Sequence, residues 1–356
     1  MISIKNSPLY LDNASTTKID DRVLSEMMPY FSENFGNPSA NNFHSIKPRE
    51  AIEKSRERVS ELLNCESSQI IFNSGSTEGI NTVLKSLFFE SIGSGKNHLI
   101  VSSIEHKAVL EVADYLMTIG CEVTRIGVDE NGVVDLNELS QSITNKTFLV
   151  CVMLVNNETG VIQPLDKVVS ISKEKKIPVF ADATQAIGKL SIDVNELDVD
   201  YMCLSAHKIN GPKGVGALYA KNLNSLQPLI HGGSQEKYKR GGTYNVPGIV
   251  GLGIASEIAL REMDSRILYY KNMKEKIFAE VIGNDGIENF INSPKVDNII
   301  SVSLVTNDSN EEYLIKHSNR FSAATGSACS AEIIQESHVL KAIAKINPKK
   351  IIRISL

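Results

Sequence analysis

Short apolar runs that alternate with helical segments predict an α/β protein with a mostly parallel central sheet. Seven strand-like runs fall in the first 220 residues, at 69–73, 98–102, 122–126, 148–155, 178–181, 201–204 and 216–220. Helical segments stand between several of these runs, at 79–89, 107–119 and 165–175. Parallel strands need crossover connections, and helical crossovers cover both faces of the sheet. Sheets of this kind place ligands at the carboxyl ends of their strands.

The first elements show how each assignment is made. A helix begins near Pro48, which suits a first helical turn, and Ile52, Val59 and Leu62 form one apolar stripe at helical spacing. The strand-like run at 69–73 follows, and then a polar cluster that leads into the next helix. The same alternation repeats up to residue 220, which is typical of a doubly covered sheet.

The pattern changes after residue 248 and predicts a second, smaller domain. Residues 249–282 read as helical almost without interruption, a length typical of a helix that links two lobes. The remainder holds strand-like runs at 299–305 and 351–356 and helix-like segments at 311–316 and 338–346. We therefore predict a large domain over residues 13–250 and a small α+β domain formed by residues 1–12 with 251–356.

The amino-acid composition limits the binding partners and the cellular compartment that we expect for this protein. The 356 residues carry 37 Lys plus Arg against 42 Asp plus Glu, a formal net charge of −5, so direct nucleic-acid binding is not expected. The five cysteines are an odd number without a C-x-x-C pair, which favours neither a disulfide framework nor a metal site. The longest apolar run, 148–155, is far too short for a membrane helix, and residues 1–12 lack a signal-peptide core. We expect a soluble cytoplasmic protein.

Three segments at predicted strand ends favour pyridoxal phosphate (PLP) chemistry. Lys208 lies in Ser205-Ala-His-Lys after the run that ends at residue 204, and a lysine at a ligand edge can form a Schiff base with this cofactor. Asp182 follows the run 178–181 and could keep the cofactor's pyridine nitrogen protonated. The segment 73–79, between a strand and a helix, could hold the phosphate. Taken alone, each of these features also fits an ordinary structural role. Lys208 fits a surface turn, Asp182 fits a helix cap, and the segment 73–79 fits an ordinary cluster of capping residues.

The ordered motifs carry a family resemblance. They are Tyr10-Leu-Asp-Asn-Ala-Ser-Thr-Thr, Phe35-Gly-Asn-Pro-Ser, Asn73-Ser-Gly-Ser-Thr-Glu, Glu105-His-Lys-Ala-Val-Leu, Val155-Asn-Asn-Glu-Thr-Gly, Ala181-Asp-Ala-Thr-Gln, Ser205-Ala-His-Lys, Arg240-Gly-Gly-Thr and Thr325-Gly-Ser-Ala-Cys-Ser. Together they resemble the cysteine desulfurases of the NifS/IscS type, PLP-dependent enzymes of fold type I in the class V aminotransferase family. The resemblance extends from residue 9 to residue 355.

The resemblance implies a role for each matched residue. Lys208 would bind PLP covalently, Asp182 would pair with its pyridine nitrogen, and Gln185 would bind its phenolic oxygen. His106 would lie against the ring and serve in proton transfer. The other implied cofactor contacts, mostly to the phosphate, are Ser76, Thr77, Ser205 and His207, with Thr243 contributed across a homodimer. Asn156 and Arg353 would position the substrate L-cysteine, and the Arg353 guanidinium suits its α-carboxylate because the pair can be bidentate.

Cys329 decides which reaction the resemblance implies. It lies among small polar residues in Gly326-Ser-Ala-Cys-Ser, whereas Cys65, Cys121, Cys151 and Cys203 fall in or beside apolar runs and are expected to pack. Cys329 would be the nucleophile that takes the sulfur of L-cysteine as a persulfide and leaves L-alanine. The spacing to the helix-like segment at 338–346 fits the branch of the family with a long catalytic loop, which could carry the sulfur to an acceptor protein.

The acceptor and several other functions stay open at this point. The sequence ends at Leu356, whereas the family usually continues for a few dozen residues that help to dock iron–sulfur scaffolds. An iron–sulfur scaffold, a tRNA-thiolation enzyme and a DNA-phosphorothioation enzyme are therefore comparable expectations. Alternatives are a PLP-dependent aminotransferase or selenocysteine lyase, which needs no persulfide on Cys329, and a non-catalytic interaction protein without bound PLP. A nucleotide-binding protein is disfavoured, because the pairs Gly214-x-Gly216 and Gly251-x-Gly253 do not complete a dinucleotide fingerprint.

Overall fold

The computed structural model describes residues 8–288, 291–325, 336–343 and 347–356. The strands of the described residues are β1 Leu9–Tyr10, β2 Ile70–Asn73, β3 His98–Ser102, β4 Glu122–Ile126, β5 Thr147–Cys151, β6 Val179–Asp182, β7 Tyr201–Ser205, β8 Gly216–Ala220, β9 Gly286–Glu288, β10 Ile299–Leu304, β11 Phe321–Ser322 and β12 Ile351–Ser355. The helices are α1 Asp21–Met27, α2 Pro29–Ser32, α3 Ile46–Leu63, α4 Ser76–Ile92, α5 Lys107–Met117, α6 Leu136–Ser142, α7 Leu165–Glu174, α8 Val194–Leu197, α9 Val246–Arg261, α10 Met263–Ile277, α11 Asn310–Lys316 and α12 His338–Ala342.

A seven-stranded sheet in the order β2-β8-β7-β6-β5-β3-β4 forms the centre of the fold. Its strands are parallel except β8, which runs antiparallel to both of its neighbours. Every residue of β3, β5, β6, β7 and β8 is buried, because helices pack on both faces. The predicted α/β class and the mostly parallel sheet are confirmed.

Several elements begin or end away from their predicted bounds, for local reasons. Helix α4 begins at Ser76 rather than at residue 79, directly after Gly75, whose φ of 144° is not helical. Strand β5 ends at Cys151, although Val152 still donates to the Phe180 carbonyl of β6. The predicted helix 249–282 is interrupted at Glu262, which leaves the helical region at φ −101° and ψ 7°. Helix α12 ends at Ala342, and residues 344–346 lie outside the described residues.

Helix α9 packs closely against its neighbours, which explains two glycines that the sequence left without a role. A Cβ on Gly253 would come within 2.7 Å of the Ser55 Cα of α3, and one on Gly251 would come within 2.8 Å of the Pro212 Cγ. Backbone and proline ring atoms cannot move aside as a flexible side chain can, so these positions require glycine. The glycine pair of α9 is therefore a helix-packing feature of the large core rather than a nucleotide loop.

A smaller antiparallel sheet, in the order β12-β10-β9, carries the C-terminal end of the chain. Its core is separate from that of the large sheet and includes Ile300, Val302, Tyr313, Ile352 and Ile354. Helix α9 continues without a break through residue 250, so the predicted domain division at that residue stays a prediction. Within the described residues, no helix is both long enough and apolar enough to cross a membrane.

Candidate active site

A cavity of about 220 Å³ opens where strands β6 and β7 end and helices α4 and α5 begin. Nine of the residues predicted from the sequence line it together: Ser76, Thr77, His106, Asp182, Gln185, Ser205, His207, Lys208 and Arg353. Most come from the carboxyl ends of parallel strands or from the loops that follow, as expected for this class of sheet. Arg353 comes from β12 of the small sheet, so the cavity is formed by both sheets.

The N-terminus of α4 forms one end of the cavity and suits an anion. The Ser76 N–H donates to the Ser205 Oγ at 2.8 Å, and the two hydroxyl oxygens are 2.9 Å apart. Gly75 precedes them with a positive φ, and a Cβ there would lie 3.3 Å from the Ser205 Oγ. The N–H groups of the first turn and the dipole of a 17-residue helix favour negative charge at this point.

Asp182 ends β6 and is 5% exposed. Its Oδ1 accepts hydrogen bonds from the Thr184 N–H at 2.9 Å and from the Thr184 hydroxyl, and the Cys203 thiol lies 3.7 Å away. These donors stabilise a buried carboxylate and fix its orientation. Thr184 also lines the cavity, although sequence reasoning gave it no role.

Lys208 lies against the N-terminal segment of the chain. Its Nζ donates to the carbonyl oxygens of Ala14 at 2.5 Å and Ser15 at 2.7 Å. The Gln185 side-chain amide donates to the same Ala14 carbonyl at 2.8 Å, while the Gln185 Oε1 is buried without a hydrogen-bond partner among the described residues. A buried oxygen without a donor is costly, so this atom is available to a bound molecule.

His106 caps the start of α5, where its Nδ1 accepts a hydrogen bond from the Ala108 N–H at 3.1 Å. Burial lowers the pKa of His106 and outweighs the opposing attraction of Asp182, so the imidazole is neutral at neutral pH. The preceding Glu105 is fully buried, and burial raises its pKa to about 8. The Glu105 backbone oxygen is 2.9 Å from the Nε2 of His338, a cavity residue at the start of α12 that sequence reasoning missed.

Arg353 is 2% exposed and lines the cavity. Its Nη2 donates to the Asp12 Oδ1 at 2.6 Å and its Nη1 to the Asn157 carbonyl at 3.1 Å. The Arg353 Nε is buried without a hydrogen-bond partner among the described residues. Asp12 belongs to the N-terminal motif, but the sequence contains no signal that pairs it with an arginine 341 residues away.

The structure corrects one predicted site residue. The Asn156 side chain does not line the cavity: its amide nitrogen donates to the Ile104 carbonyl at 3.1 Å, and its Oδ1 accepts from the N–H groups of Glu158 and Thr159. Asn157 lines the cavity instead, and its Oδ1 is buried without a partner among the described residues. Adjacent side chains point in different directions, and the sequence does not show which of two asparagines faces the cavity.

Two other predicted residues lie away from the described cavity. Thr243 is exposed and does not line it, so its contact across a homodimer stays a prediction. Cys329 lies outside the described residues. Ser337, which follows it in the chain, donates its hydroxyl to the Glu158 Oε2 at 2.5 Å, and Glu158 lines the cavity.

The four described cysteines behave as packing residues. Cys151 and Cys203 are fully buried, and burial raises their pKa well above the ordinary value. Burial also raises the pKa of Cys121 to about 11 and that of Cys65 to about 12. These groups are therefore thiols rather than reactive thiolates at neutral pH. In the part of the chain that the structure describes, no group of three or more His, Cys, Asp or Glu residues could hold a metal ion.

Comparisons with known proteins agree with this geometry. The aminotransferase class-V family model matches residues 9–356. The cysteine desulfurase IscS of Clostridium botulinum is 40% identical over 95% of this chain and 86% of its own length, and that of Methanosarcina thermophila is 38% identical over 96% and 84%. A NifS-like protein has a TM-score of 0.89 at 38% identity, with 98% of this chain and 93% of that chain covered.

Two further solved structures are similar. SspA in complex with cysteine has a TM-score of 0.84 at 34% identity, with 98% of both chains covered. DndA from Streptomyces lividans has a TM-score of 0.81 at 31% identity, with 97% of this chain and 99% of that chain covered. The resemblance inferred from the ordered motifs is confirmed. The chain belongs to the aminotransferase class-V family, among the cysteine desulfurases of the NifS/IscS type.

Proposed function

We propose that this protein is a cysteine desulfurase that converts L-cysteine to L-alanine and passes the sulfur to an acceptor protein. The observation that carries the proposal is the convergence of Lys208, Asp182 and Arg353 on one cavity beside the N-terminus of α4. An amine, a buried carboxylate, a guanidinium and an anion cradle are what a phosphorylated carbonyl cofactor and an amino-acid substrate require. The named relatives and the cysteine complex of SspA support the same substrate.

The residues of the cavity fit PLP. The cradle at Gly75 and Ser76 matches a phosphate, and Asp182 and the Lys208 amine lie in the same cavity. The Gln185 Oε1 without a partner marks a position where a bound group would complete the hydrogen bonding. When bound, PLP supplies an electron sink for the bonds at the substrate Cα and Cβ. Ser76, Thr77, Ser205 and His207 would hold the phosphate, and Thr243 would add a contact across a homodimer.

The side chains of the cavity then have distinct roles in the reaction. Arg353 binds the substrate α-carboxylate, and Asn157 lies beside it with a side-chain Oδ1 that has no hydrogen-bond partner among the described residues. Lys208 would hold the cofactor, and its amine would take the proton from the substrate Cα. Asp182 would pair with the pyridine nitrogen and keep it protonated. His106, whose pKa is lowered by burial and whose Nδ1 accepts from the Ala108 N–H, would serve in proton transfer.

The sulfur step requires a thiolate, and we assign it to Cys329. The Cys329 sulfur attacks the substrate sulfur and forms an S–S bond, and the substrate Cβ–S bond breaks with its electron pair retained on carbon. The carbon takes up a proton, so that L-cysteine and the enzyme thiol give L-alanine and an enzyme persulfide. A thiol with an ordinary pKa of about 8.5 must lose its proton first, and a base of the site such as His106 would take it.

Replacement of Cys329 by serine tests this assignment. Cys329→Ser should keep the visible spectrum of bound PLP and lose alanine production from cysteine, because the oxygen cannot accept the sulfur as a persulfide. Cys65→Ser, which removes a half-buried packing thiol, is the matched control and should keep activity. Undiminished alanine release by Cys329→Ser would refute the nucleophile and favour a lyase that needs no persulfide on Cys329.

The partners and the compartment follow from the same chemistry. The protein would work in the cytoplasm, where the Cys329 thiol stays reduced, and as a homodimer in which the exposed Thr243 would reach the cofactor of the partner chain. The acceptor is an iron–sulfur scaffold, a tRNA-thiolation enzyme or a DNA-phosphorothioation enzyme. Labelled persulfide on the enzyme, followed to the protein that receives the label, distinguishes these three.

A further inference from the structure

A buried lysine lies behind the main chain of Lys208. Lys189 is 8% exposed, and its Nζ donates to the Lys208 carbonyl oxygen at 2.8 Å. Lys189 belongs to the same short segment as Asp182 and Gln185, which face the catalytic cavity. One connection after β6 therefore contacts both the cavity and the backbone of the central lysine.

The turn that carries Lys189 is built to lie close to this backbone. Gly188 has a φ of +69°, and a Cβ there would come within 3.0 Å of the Ile209 Cγ2 and within 3.1 Å of the Ala259 Cβ. The Lys189 N–H closes the turn on the Ala186 carbonyl at 3.0 Å. Glycine is thus required for the turn to approach residues 208–209, and the approach places the lysine amine under the Lys208 carbonyl.

The surroundings of Lys189 make a charged amine at this position unfavourable for folding stability. It lines a second cavity of about 300 Å³ together with Asn210, Arg266, Tyr270 and Asn298, and none of the described side chains that line this cavity is acidic. Burial, together with the charges of Lys208 and Arg266, lowers the pKa of Lys189 to about 7. A buried amine without an acidic partner among the described residues lowers the stability of the fold. We therefore expect Lys189 to have a function that offsets this loss of stability.

Further hydrogen bonds hold the main chain next to Lys208. The backbone N–H of Thr17 donates to the His207 carbonyl at 2.9 Å and its hydroxyl donates to the same oxygen at 3.0 Å. The Lys208 side chain must leave its partners and return during the proposed reaction. Its backbone must therefore be fixed by groups other than its own side chain, and Lys189 and Thr17 are among the groups that do so.

We propose that Lys189 is a positioning residue for Lys208, acting through the hydrogen bond to its main-chain carbonyl. The inference rests on the proposed desulfurase function. Lys189 does not line the catalytic cavity, whereas the substrate carboxylate is assigned to Arg353 on the small sheet. Loss of the Lys189 amine should therefore slow the steps carried out by Lys208 and leave substrate binding unchanged.

The test uses the holoenzyme and three variants. Lys189→Met removes the donor at similar length, Lys189→Gln keeps an N–H donor without charge, and Lys175→Met changes an exposed lysine as the matched control. Lys189→Met should bind one PLP per chain, lower kcat about tenfold and change KM less than twofold, because misplacement of a catalytic group costs rate rather than binding. Lys189→Gln should recover at least a third of the wild-type kcat. The visible band of Lys208-bound PLP should decay faster during dialysis of Lys189→Met than of wild type.

The possible results separate this inference from the function on which it rests. Wild-type protein without a PLP band or alanine production would overturn the desulfurase proposal and this inference with it. An active wild type matched by Lys189→Met in kcat and in PLP retention would overturn the role of Lys189 alone. A fall in kcat with an equal rise in KM in both Lys189 variants would show a structural role and contradict positioning. If Lys189→Met does not fold, Lys189→Gln is judged by the same kcat, KM and retention criteria.

Discussion

The segment that carries Thr243 is held by a buried ion pair, and removal of that pair should destabilise the protein strongly. Arg56 of α3 and Glu236 are each 5% exposed. The guanidinium donates to both carboxylate oxygens at 2.7 Å, and the Phe72 N–H of β2 also donates to Glu236 at 2.7 Å. Glu236, Lys237 and Tyr238 are successive residues with φ values of 47°, 56° and 65°, an unfavourable backbone that this anchor offsets.

The magnitude follows from the burial of the pair. Glu236→Ala leaves a buried guanidinium whose remaining partners are the Ile70 carbonyl at 3.0 Å and the exposed Glu53 at 3.2 Å. Removing one partner of a buried pair costs about 3–5 kcal/mol. The Phe72 N–H loses its acceptor too, although its cost of about 1–3 kcal/mol is not additive with the first. We expect Glu236→Ala to lower the free energy of unfolding by about 3–5 kcal/mol.

Urea denaturation followed by circular dichroism measures this loss. The double variant Arg56→Met/Glu236→Leu should recover most of it, because two apolar side chains need no charge compensation. Glu122→Gln, in the exposed pair of Glu122 with Lys146, is the control and should leave the unfolding midpoint unchanged. A Glu236→Ala midpoint equal to that of the control would refute the reasoning. A double variant no more stable than Glu236→Ala would show that the backbone strain, rather than the charge, sets the cost.

Two further predictions concern the cavity. Asn157→Ala should impair cysteine turnover with little change in the free energy of unfolding. Asn156→Ala should lower the free energy of unfolding by about 1–3 kcal/mol, because the Glu158 and Thr159 N–H groups lose their acceptor. Steady-state kinetics and urea titration compare the two variants, and the reverse pattern would restore Asn156 as the cavity residue. Glu105→Gln should become progressively more stable than wild type as pH rises from about 5 to about 8. The pKa of Glu105 is about 8 in the folded state and 4.5 in the unfolded state, so ionisation of Glu105 across this window disfavours the folded wild type. Parallel curves of stability against pH for the two proteins would contradict the raised pKa of Glu105.

Much of the fold followed from local patterns. The strands at 98–102 and 216–220 have the predicted bounds, because buried strands leave continuous apolar runs bounded by polar turns. The strand at 122–126 also has its predicted bounds, although it is an edge strand in which only Ile126 is buried. Lys208 and Asp182 were expected in one site because the ends of parallel strands share an edge. The direction of β8 was not predictable, since a buried antiparallel strand leaves the same apolar run as a parallel one.

The sequence by itself determined the fold class, the family and the chemical groups that the reaction needs. These depend on residue type and order, which motifs such as Ser205-Ala-His-Lys preserve directly. Only the tertiary structure decided which of Asn156 and Asn157 faces the cavity, that Asp12 pairs with Arg353, and that Lys189 lies under the Lys208 carbonyl. Such contacts join residues distant in the chain or depend on the direction of one side chain. They are set by packing between elements, on which local patterns carry no information.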